Sequence, residues 1–239
     1  MVLHAAGLWE RWSDLTAVVQ RGREAVGVPS RSGRQQEHFI HAMHVIGRSL
    51  AASVVAALEL GERERLLDVG GATGTYTEVL LEARPRMRAT LFDFPPVIEM
   101  ARRRLEERGL LVRVELVAGD FYRDELPGDH DVALLSAIIH QNGPDQNLAL
   151  YQKIHRALRP GGLLVIRDHV MSADHTQPAG GALFAINMLV GTLAGGTYSF
   201  AEIRDGLAAA GFEDVRLLQN DSGRMDGVVT GRKAGRDGG

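Results

Sequence analysis

The segment DVGGATG at residues 68–74 follows a short apolar stretch and has the composition of a ligand-binding loop. A loop that holds the pyrophosphate of a dinucleotide needs the spacing G-x-G-x-x-G, so that a helix N-terminus can face the phosphates. No register of this segment supplies that spacing, because Ala72 and Tyr76 stand where glycines are required. The small residues favour instead a ligand without a pyrophosphate, whose amino-acid part lies against the backbone. A plain turn between a strand and a helix is the alternative.

Two acidic residues follow the next two apolar stretches. Asp93 ends the second predicted strand, where a carboxylate can accept hydrogen bonds from both hydroxyls of a ribose. Asp120 ends the third and precedes Phe121, so the acid can accept from an adenine amino group while the ring packs on the base. Ligands of open α/β sheets bind at the carboxyl ends of the strands. Acids that cap exposed turns explain one such feature better than three in succession.

A histidine follows the fourth apolar stretch on the same predicted edge. His140 lies in the segment LSAIIHQN at 135–142, and a histidine beside a bound ligand can accept a proton near neutral pH. Its position favours a general base. A cap, or a buried core histidine held by hydrogen bonds, is the alternative.

Strands and helices that alternate along the chain must position these residues. The predicted strands span 65–69, 89–92, 112–117, 132–136 and 163–166, and the helices between them span 75–83, 96–108 and 146–158. Such β-α-β repeats imply a parallel sheet with helices on both faces. Two closing strands at 215–218 and 227–230, joined by a short polar linker, predict an antiparallel pair at one edge.

Composition bounds the class of protein. The 239 residues, of which 45% are hydrophobic, suffice for a large core, and the absence of cysteine excludes a disulfide scaffold, a thiolate zinc site and a cysteine nucleophile. A net charge of −3 offers no field for nucleic acid or an anionic membrane. The N-terminus lacks a signal-peptide pattern, and the longest apolar runs, such as 50–58, are too short to span a bilayer. We therefore expect a cytoplasmic protein with neither nucleic-acid nor membrane partners.

From about Trp9 to Lys233 the chain resembles the class I S-adenosylmethionine-dependent O-methyltransferases, which include plant caffeate and isoflavone enzymes and bacterial polyketide and hydroxyneurosporene enzymes. The motifs that carry the resemblance are LLDVGG at 66–71, FDFP at 92–95, GDF at 119–121, His140, PGG at 160–162 and AGF at 210–212. The resemblance implies a Rossmann-like α/β fold: a mostly parallel seven-stranded sheet with an antiparallel edge pair, preceded by N-terminal helices.

The resemblance also implies roles for particular residues. His140 falls on the position of the general base, and Asp168 falls where the family places an acid, commonly glutamate, that orients the histidine. The alternative for Asp168 is an ion pair with Arg167 or exposure to solvent. The implied cofactor is S-adenosylmethionine, with S-adenosylhomocysteine as product, bound by Asp68, Gly70, Gly71, Gly74, Asp93, Phe94, Asp120, Phe121 and Ser136. The implied acceptor pocket includes Phe39, Met43, Asn187 and Met188, for which ordinary helix core is the alternative.

Two departures from the family pattern concern the acceptor. Some relatives carry a second glutamate after the late glycine pair, whereas this chain continues Thr197-Tyr198-Ser199. The aspartate and tryptophan that often follow the catalytic histidine are replaced by Gln141-Asn142-Gly143. We therefore expect a pocket unlike that of the plant enzymes, and a small phenolic or polyketide-like acceptor with a free hydroxyl.

Other functions are weighed on the same residues. A family member that uses the bound cofactor for decarboxylation or hydroxylation is the main alternative, and an NAD(P)-dependent oxidoreductase lacks its loop. A nucleic-acid methyltransferase would carry an N/D-P-P-Y-like motif after the fourth strand. The run of His38, His41 and His44 could face one side of a helix, but no local carboxylate completes a metal site, so we expect no metal.

The predicted organisation is a helical lead-in at 1–60, a cofactor-binding domain at 61–233 and a disordered tail at 234–239. Relatives normally begin with a winged-helix dimerisation domain, and the stretch at 8–19 resembles the helix that follows it. We expect this chain to lack that domain, which weakens the expectation of a homodimer.

Overall fold

The computed structural model describes residues 8–9, 11–27, 33–220 and 225–235. Nine strands lie within these residues: β1 (Arg65–Val69), β2 (Arg88–Asp93), β3 (Val114–Ala118), β4 (His130–Ser136), β5 (Leu158–Asp168), β6 (Val170–Met171), β7 (Tyr198–Ser199), β8 (Phe212–Gln219) and β9 (Gly227–Lys233). Seven of them form one sheet in the order β3-β2-β1-β4-β5-β9-β8, and β6 pairs with β7.

The first five strands of the main sheet run parallel, and β9 pairs antiparallel with both β5 and β8. The predicted mostly parallel seven-stranded sheet with an antiparallel edge pair is therefore confirmed. Because helices cover both faces of its centre, the central strands are apolar at successive positions rather than at alternate ones. Leu66 packs in the core on one face and Leu67 in the core on the other, and both are fully buried.

Eight α-helices whose full extent lies within the described residues connect and precede the strands. They are α1 (Leu15–Arg21), α2 (Arg23–Val26), α3 (Arg34–Ala56), α4 (Thr75–Ala83), α5 (Pro95–Glu107), α6 (Pro144–Ala157), α7 (Ala179–Gly191) and α8 (Phe200–Ala209). Local sequence explains several helix starts: α5 and α6 begin at proline, and Ser199 caps α8 in a capping box with Glu202.

Several predicted boundaries are wrong. The third strand begins at Val114 rather than at 112, because Leu111–Arg113 form a 3-10 turn, and β8 begins at Phe212 rather than at 215. Strand β5 begins at Leu158, directly after α6, because the PGG segment continues the strand through a bulge between the pairs His130–Leu158 and Val132–Leu163. Helix α3 ends at Ala56, before the predicted end of the helical lead-in at 60. Residues 236–239 of the predicted tail, and residues 221–224 of the linker before β9, lie outside the described residues.

Helix α3 contains a stretch, Gln36–Ala56, with a mean hydropathy of 1.4, and it alone among the described helices is long and apolar enough to cross a membrane. Core helices of globular proteins can meet the same criterion. This helix packs on the start of α4, where His44 Nδ1 lies 2.8 Å from Thr75 Oγ1. A Cβ added at Gly47 would lie 3.5 Å from the Tyr76 ring, so the two helices approach closely.

Candidate active site

The sheet order brings the predicted site residues to one edge. Asp93 is the last residue of β2, Ser136 of β4 and Asp168 of β5, while Asp68 is the penultimate residue of β1. Strands β2, β1, β4 and β5 are consecutive neighbours, so their carboxyl ends form a continuous row. Asp120 extends this row, since it follows β3 by two residues.

The glycine loop leaves no room for side chains at two of its positions. A Cβ added at Gly70, where φ is +67°, would lie 2.7 Å from Ile138 Cδ1. At Gly71 it would lie 2.8 Å from both the carboxyl carbon of Asp68 and Leu91 Cγ. Gly74 begins α4 with φ of +75° and faces core leucines, so its glycine is explained by chain conformation and packing.

Two carboxyl groups beneath this loop are buried without a cationic partner among the described residues. Asp68 Oδ2 accepts a hydrogen bond of 2.6 Å from the Thr77 hydroxyl. Asp93 accepts one from the Ala72 N–H, 2.9 Å, and one from the Phe94 N–H, 2.7 Å. Burial raises the pKa of Asp68 and that of Asp93 to about 6, in spite of these hydrogen bonds. Each carboxylate still has lone pairs for a donor or a positive charge from a ligand.

The Phe121 ring, which was predicted to pack on an adenine, is less accessible than that role requires. The Phe121 ring is only 4% exposed, covered on one side by Tyr122 at 4.5 Å between ring centroids. Phe94 lies 6.3 Å from Phe121 and is 36% exposed. Phe94 therefore offers the more accessible ring for a base, while Asp120 Oδ1 already accepts a hydrogen bond from the Tyr122 N–H.

His140 and Asp168 form a direct pair. His140 lies in a single helical turn, Ile139–Gln141, and its Nδ1 is 2.9 Å from both carboxylate oxygens of Asp168. Burial on its own would raise the pKa of Asp168, but the His140 charge and hydrogen bond and the His169 N–H hold that pKa below its usual value. An ionised carboxylate only accepts hydrogen bonds, so Nδ1 carries the proton and Nε2 is the nitrogen left to accept one.

A hydrogen-bond network that the sequence did not predict braces the turn with His140. Asn142 donates from Nδ2 to Asn147 Oδ1 at 3.0 Å, and Asn147 donates to the Ile139 carbonyl at 3.0 Å. The Tyr198 hydroxyl donates to the Asn142 carbonyl. Asn142, two residues after the candidate base, was the available signal, but its partner Asn147 lies on α6.

The late glycine pair also belongs to this turn. Gly196 N–H donates to the His140 carbonyl at 2.9 Å, and a Cβ at Gly195 would collide with that same oxygen. The pair therefore contacts and holds the backbone of the candidate base. Only glycine permits the close approach at 195.

The sequence model of the O-methyltransferase domain family matches residues 12–213 of this chain. The chain belongs to this family. It is 32% identical over 229 residues to the 3-hydroxy-5-methyl-1-naphthoate 3-O-methyltransferase of Streptomyces sahachiroi, covering 93% of this chain and 66% of that protein. It is also 32% identical to the tetracenomycin polyketide synthesis 8-O-methyl transferase of Streptomyces glaucescens, covering 95% and 68%.

Solved structures agree with this O-methyltransferase assignment. Human N-acetylserotonin methyltransferase, solved in complex with SAM, superposes with a TM-score of 0.83 at 25% identity over 94% of this chain and 66% of that one. The mitomycin 7-O-methyltransferase structure gives 0.84 at 28% identity, covering 95% and 68%. The chain thus spans about two thirds of the length of the relatives that it matches.

The O-methyltransferase family depends on S-adenosylmethionine, and the residues present fit that cofactor. The ligand carries a positively charged sulfonium and two ribose hydroxyls, which suit the uncompensated carboxyl groups of Asp68 and Asp93. The Thr73 hydroxyl in the loop is buried and without a hydrogen-bond partner among the described residues. Gly70 and Gly71 leave the loop without side chains that could block it.

The residues assigned to the acceptor pocket lie on two helices. Phe39 and Met43 belong to α3, whereas Asn187 and Met188 belong to α7. The Asn187 Oδ1 atom is buried with no hydrogen-bond partner in the described part of the chain, as expected of a group that awaits a ligand. Phe184, one turn earlier on α7, contacts the His140 ring edge-on at 4.8 Å between centroids and was not predicted.

Proposed function

We propose that this chain transfers a methyl group from S-adenosylmethionine to a hydroxyl of a small aromatic or polyketide-like acceptor, with His140 as general base. The observation that carries the proposal is the pair of His140 Nδ1 and Asp168, 2.9 Å apart on the same sheet edge as the glycine loop. One relative acts by name on a hydroxynaphthoate, and the other is named as an O-methyl transferase of polyketide synthesis. A homodimer and a cytoplasmic location stay predictions.

The chemistry asks little of the protein beyond alignment and proton transfer. When bound, S-adenosylmethionine supplies an electrophilic methyl group on sulfur. The acceptor oxygen must lie in line with the methyl–sulfur bond and lose its proton. A phenol has a pKa of about 10, so a base beside it lowers the barrier at neutral pH. His140 Nε2 accepts that proton, and the Asp168 carboxylate stabilises the imidazolium that results.

The test is a methyl-transfer screen over phenols, hydroxynaphthoic acids and hydroxylated polyketide analogues. We expect a product in which a methyl group has replaced the hydroxyl proton, a net gain of CH2, together with one equivalent of S-adenosylhomocysteine, both detected by mass spectrometry. A reaction without acceptor is the control for slow cofactor hydrolysis. Binding of the cofactor without methylation of any hydroxylated acceptor, or a product that has lost carbon dioxide instead, would count against the proposal.

We expect cofactor affinity to decrease as the pH is lowered, because Asp93 becomes protonated. Its pKa is raised to about 6 by burial, and ribose hydroxyls bind the ionised form, so a protonated Asp93 must release its proton before binding. The Kd for S-adenosylhomocysteine should therefore rise by up to about tenfold per pH unit below 6. The stability of the free protein depends on pH in the opposite direction. Because the pKa of Asp93 is raised in the folded state, its protonation stabilises the fold at acidic pH, and this contribution is lost as the pH rises through about 6.

Calorimetric titrations between pH 5 and pH 7.5 would measure this effect. Asp93→Asn should bind more weakly and lose most of the pH dependence, with a residual part from Asp68. Asp129→Asn is the matched control, because Asp129 is exposed and lies before β4 at the opposite end of the sheet. A Kd that does not change with pH, or an unchanged slope in Asp93→Asn, would contradict the assignment.

A further inference from the structure

Arg167 is a buried cation that the proposed reaction does not use. It is 3% exposed, and its Nε and Nη2 atoms have no hydrogen-bond partner in the part of the chain that the structure describes. Buried arginine is rare without a partner, because a desolvated charge is costly unless it is paired and hydrogen-bonded. The guanidinium therefore lacks a counter-charge that another molecule could supply.

Its position is set by the sheet. Arg167 is the penultimate residue of β5 and lies opposite Ser136, the last residue of β4. Its carbonyl accepts a hydrogen bond of 2.8 Å from the Ala137 N–H, which anchors the backbone at the carboxyl edge. Successive side chains of a strand point to opposite faces, so Arg167 lies on the face opposite Asp168.

On that face the guanidinium meets the start of α4. Its Cζ atom lies 5.6 Å from the centre of the Tyr76 ring, two residues beyond the glycine loop. Burial raises the pKa of the Tyr76 hydroxyl, while the Arg167 charge and the Ser136 hydroxyl oppose that shift. Arg167, Tyr76 and Ser136 thus form one cluster beside the loop.

Neither nearby group forms an ion pair with the guanidinium, although the charge of Arg167 contributes to the lowered pKa of Asp168. A cation above an aromatic ring gains much less than full burial of the charge costs. Asp168 is adjacent in sequence but on the other face, and both of its oxygens already accept hydrogen bonds from His140, with a further one from the His169 N–H. The orphaned nitrogens of Arg167 call for an acceptor with two oxygens, since a guanidinium binds a carboxylate through two parallel hydrogen bonds.

We propose that Arg167 binds the carboxylate of a ligand held at this sheet edge. The carboxylate belongs either to the amino-acid part of the cofactor or to the acceptor, so the inference rests on the proposed function. The position of Arg167 beside Tyr76 and Ser136 favours the cofactor, because the glycine loop approaches the amino-acid part of that ligand.

The test compares two ligands that differ in the carboxylate. S-adenosylhomocysteine carries the amino-acid part, whereas 5′-methylthioadenosine shares the adenosine and the thioether but lacks it. In Arg167→Met we expect the Kd for S-adenosylhomocysteine to rise roughly 10- to 100-fold, the effect of losing a charge-assisted hydrogen bond, and the Kd for methylthioadenosine to stay the same. Arg167→Lys should recover part of the lost affinity, because lysine restores the positive charge but not the two parallel N–H donors of the guanidinium.

A second arm tests the acceptor. If the carboxylate is the acceptor's, Arg167→Met leaves the Kd for S-adenosylhomocysteine unchanged and lowers kcat/KM for a hydroxyaromatic acid relative to its methyl ester. Arg156→Met is the control, since Arg156 is an exposed residue of α6 paired with Glu125. Melting of the free protein checks folding, and Arg167→Met should melt at a higher temperature than the wild type, because an unpaired buried charge is removed.

An unchanged Kd for S-adenosylhomocysteine together with an unchanged acid-to-ester ratio would overturn the inference. An equal loss of affinity for both nucleosides would also overturn it, since that result indicates a general disturbance of the pocket. These outcomes are distinct from failure of the proposed function. Wild-type protein that binds S-adenosylhomocysteine but methylates no acceptor would refute the function and leave the comparison of the two ligands intact.

Discussion

Replacement of His140 by glutamine is expected to lower kcat for methyl transfer by roughly 10²- to 10⁴-fold, the usual contribution of a general base, without a change in cofactor affinity. Glutamine can still donate from its amide to Asp168, so the buried carboxylate keeps a partner. It cannot take up a proton at neutral pH. Single-turnover rates and calorimetric Kd values for S-adenosylhomocysteine measure the two effects separately.

The matched control is His155→Gln. His155 lies near the end of α6, where its ring packs against Phe212 and not against the sheet edge that carries the loop. Its turnover should equal that of the wild type. Full turnover in His140→Gln would refute the assignment of the base, and a loss of cofactor binding of the same size as the loss in kcat would indicate a structural role for the histidine.

The second large effect is expected for Asp168→Asn. Asp168 accepts from His140 Nδ1 on both oxygens and from the His169 N–H at 2.8 Å, whereas asparagine offers one oxygen and a donor. The NH2 group of the asparagine must then point at one of these two N–H donors. Otherwise His140 must carry its proton on Nε2, and that nitrogen can no longer accept a proton from the acceptor. We expect kcat to fall by roughly 10²- to 10⁴-fold, as in other histidines that lose their orienting carboxylate.

Asp168 acts through His140, so its assignment needs a measurement that a merely structural role would not change. Asp168→Glu keeps the charge and should recover a part of kcat, while KM for the acceptor and the Kd for S-adenosylhomocysteine should stay near wild type in both variants. Asp129→Asn, at the other end of the sheet, is the control. Equal losses in Asp168→Asn and Asp168→Glu, or a loss confined to KM, would contradict a positioning role.

Much of the fold could be predicted from the sequence, because the signals involved are local. Apolar stretches of strand length alternate with helical periodicity, and the glycines and acids that end them mark the carboxyl edge. The start of β5 failed for a reason that the local sequence does not contain. At β5, pairing with β4 and β9 overrides the usual effect of Pro160 and glycine as breakers, and such pairing is a long-range property.

The residues of the candidate site also divide into those that local sequence predicts and those that it does not. The order of residues along the chain predicted the loop, Asp93 and His140, since each needs only a position at the end of a strand. The role of Asp168 came from a family resemblance, and the tertiary structure supplies its distance to His140. Roles stay predictions until the variants are measured, but the pairing itself is a feature of the fold.

The sequence by itself determined the fold class and the sheet edge at which the candidate site residues lie, because strand length and the residue types at strand ends depend on neighbouring positions in the chain. Only the tertiary structure decided which residues hold the turn of His140, and that Arg167 is buried without an ion-pair partner among the described side chains. Gly195 and Tyr198 reach the turn of His140 from more than fifty positions away. Arg167 reads in the sequence as one more polar residue near a strand end, and it becomes a candidate site because folding buries its charge beside Tyr76 without a counter-ion among the described side chains.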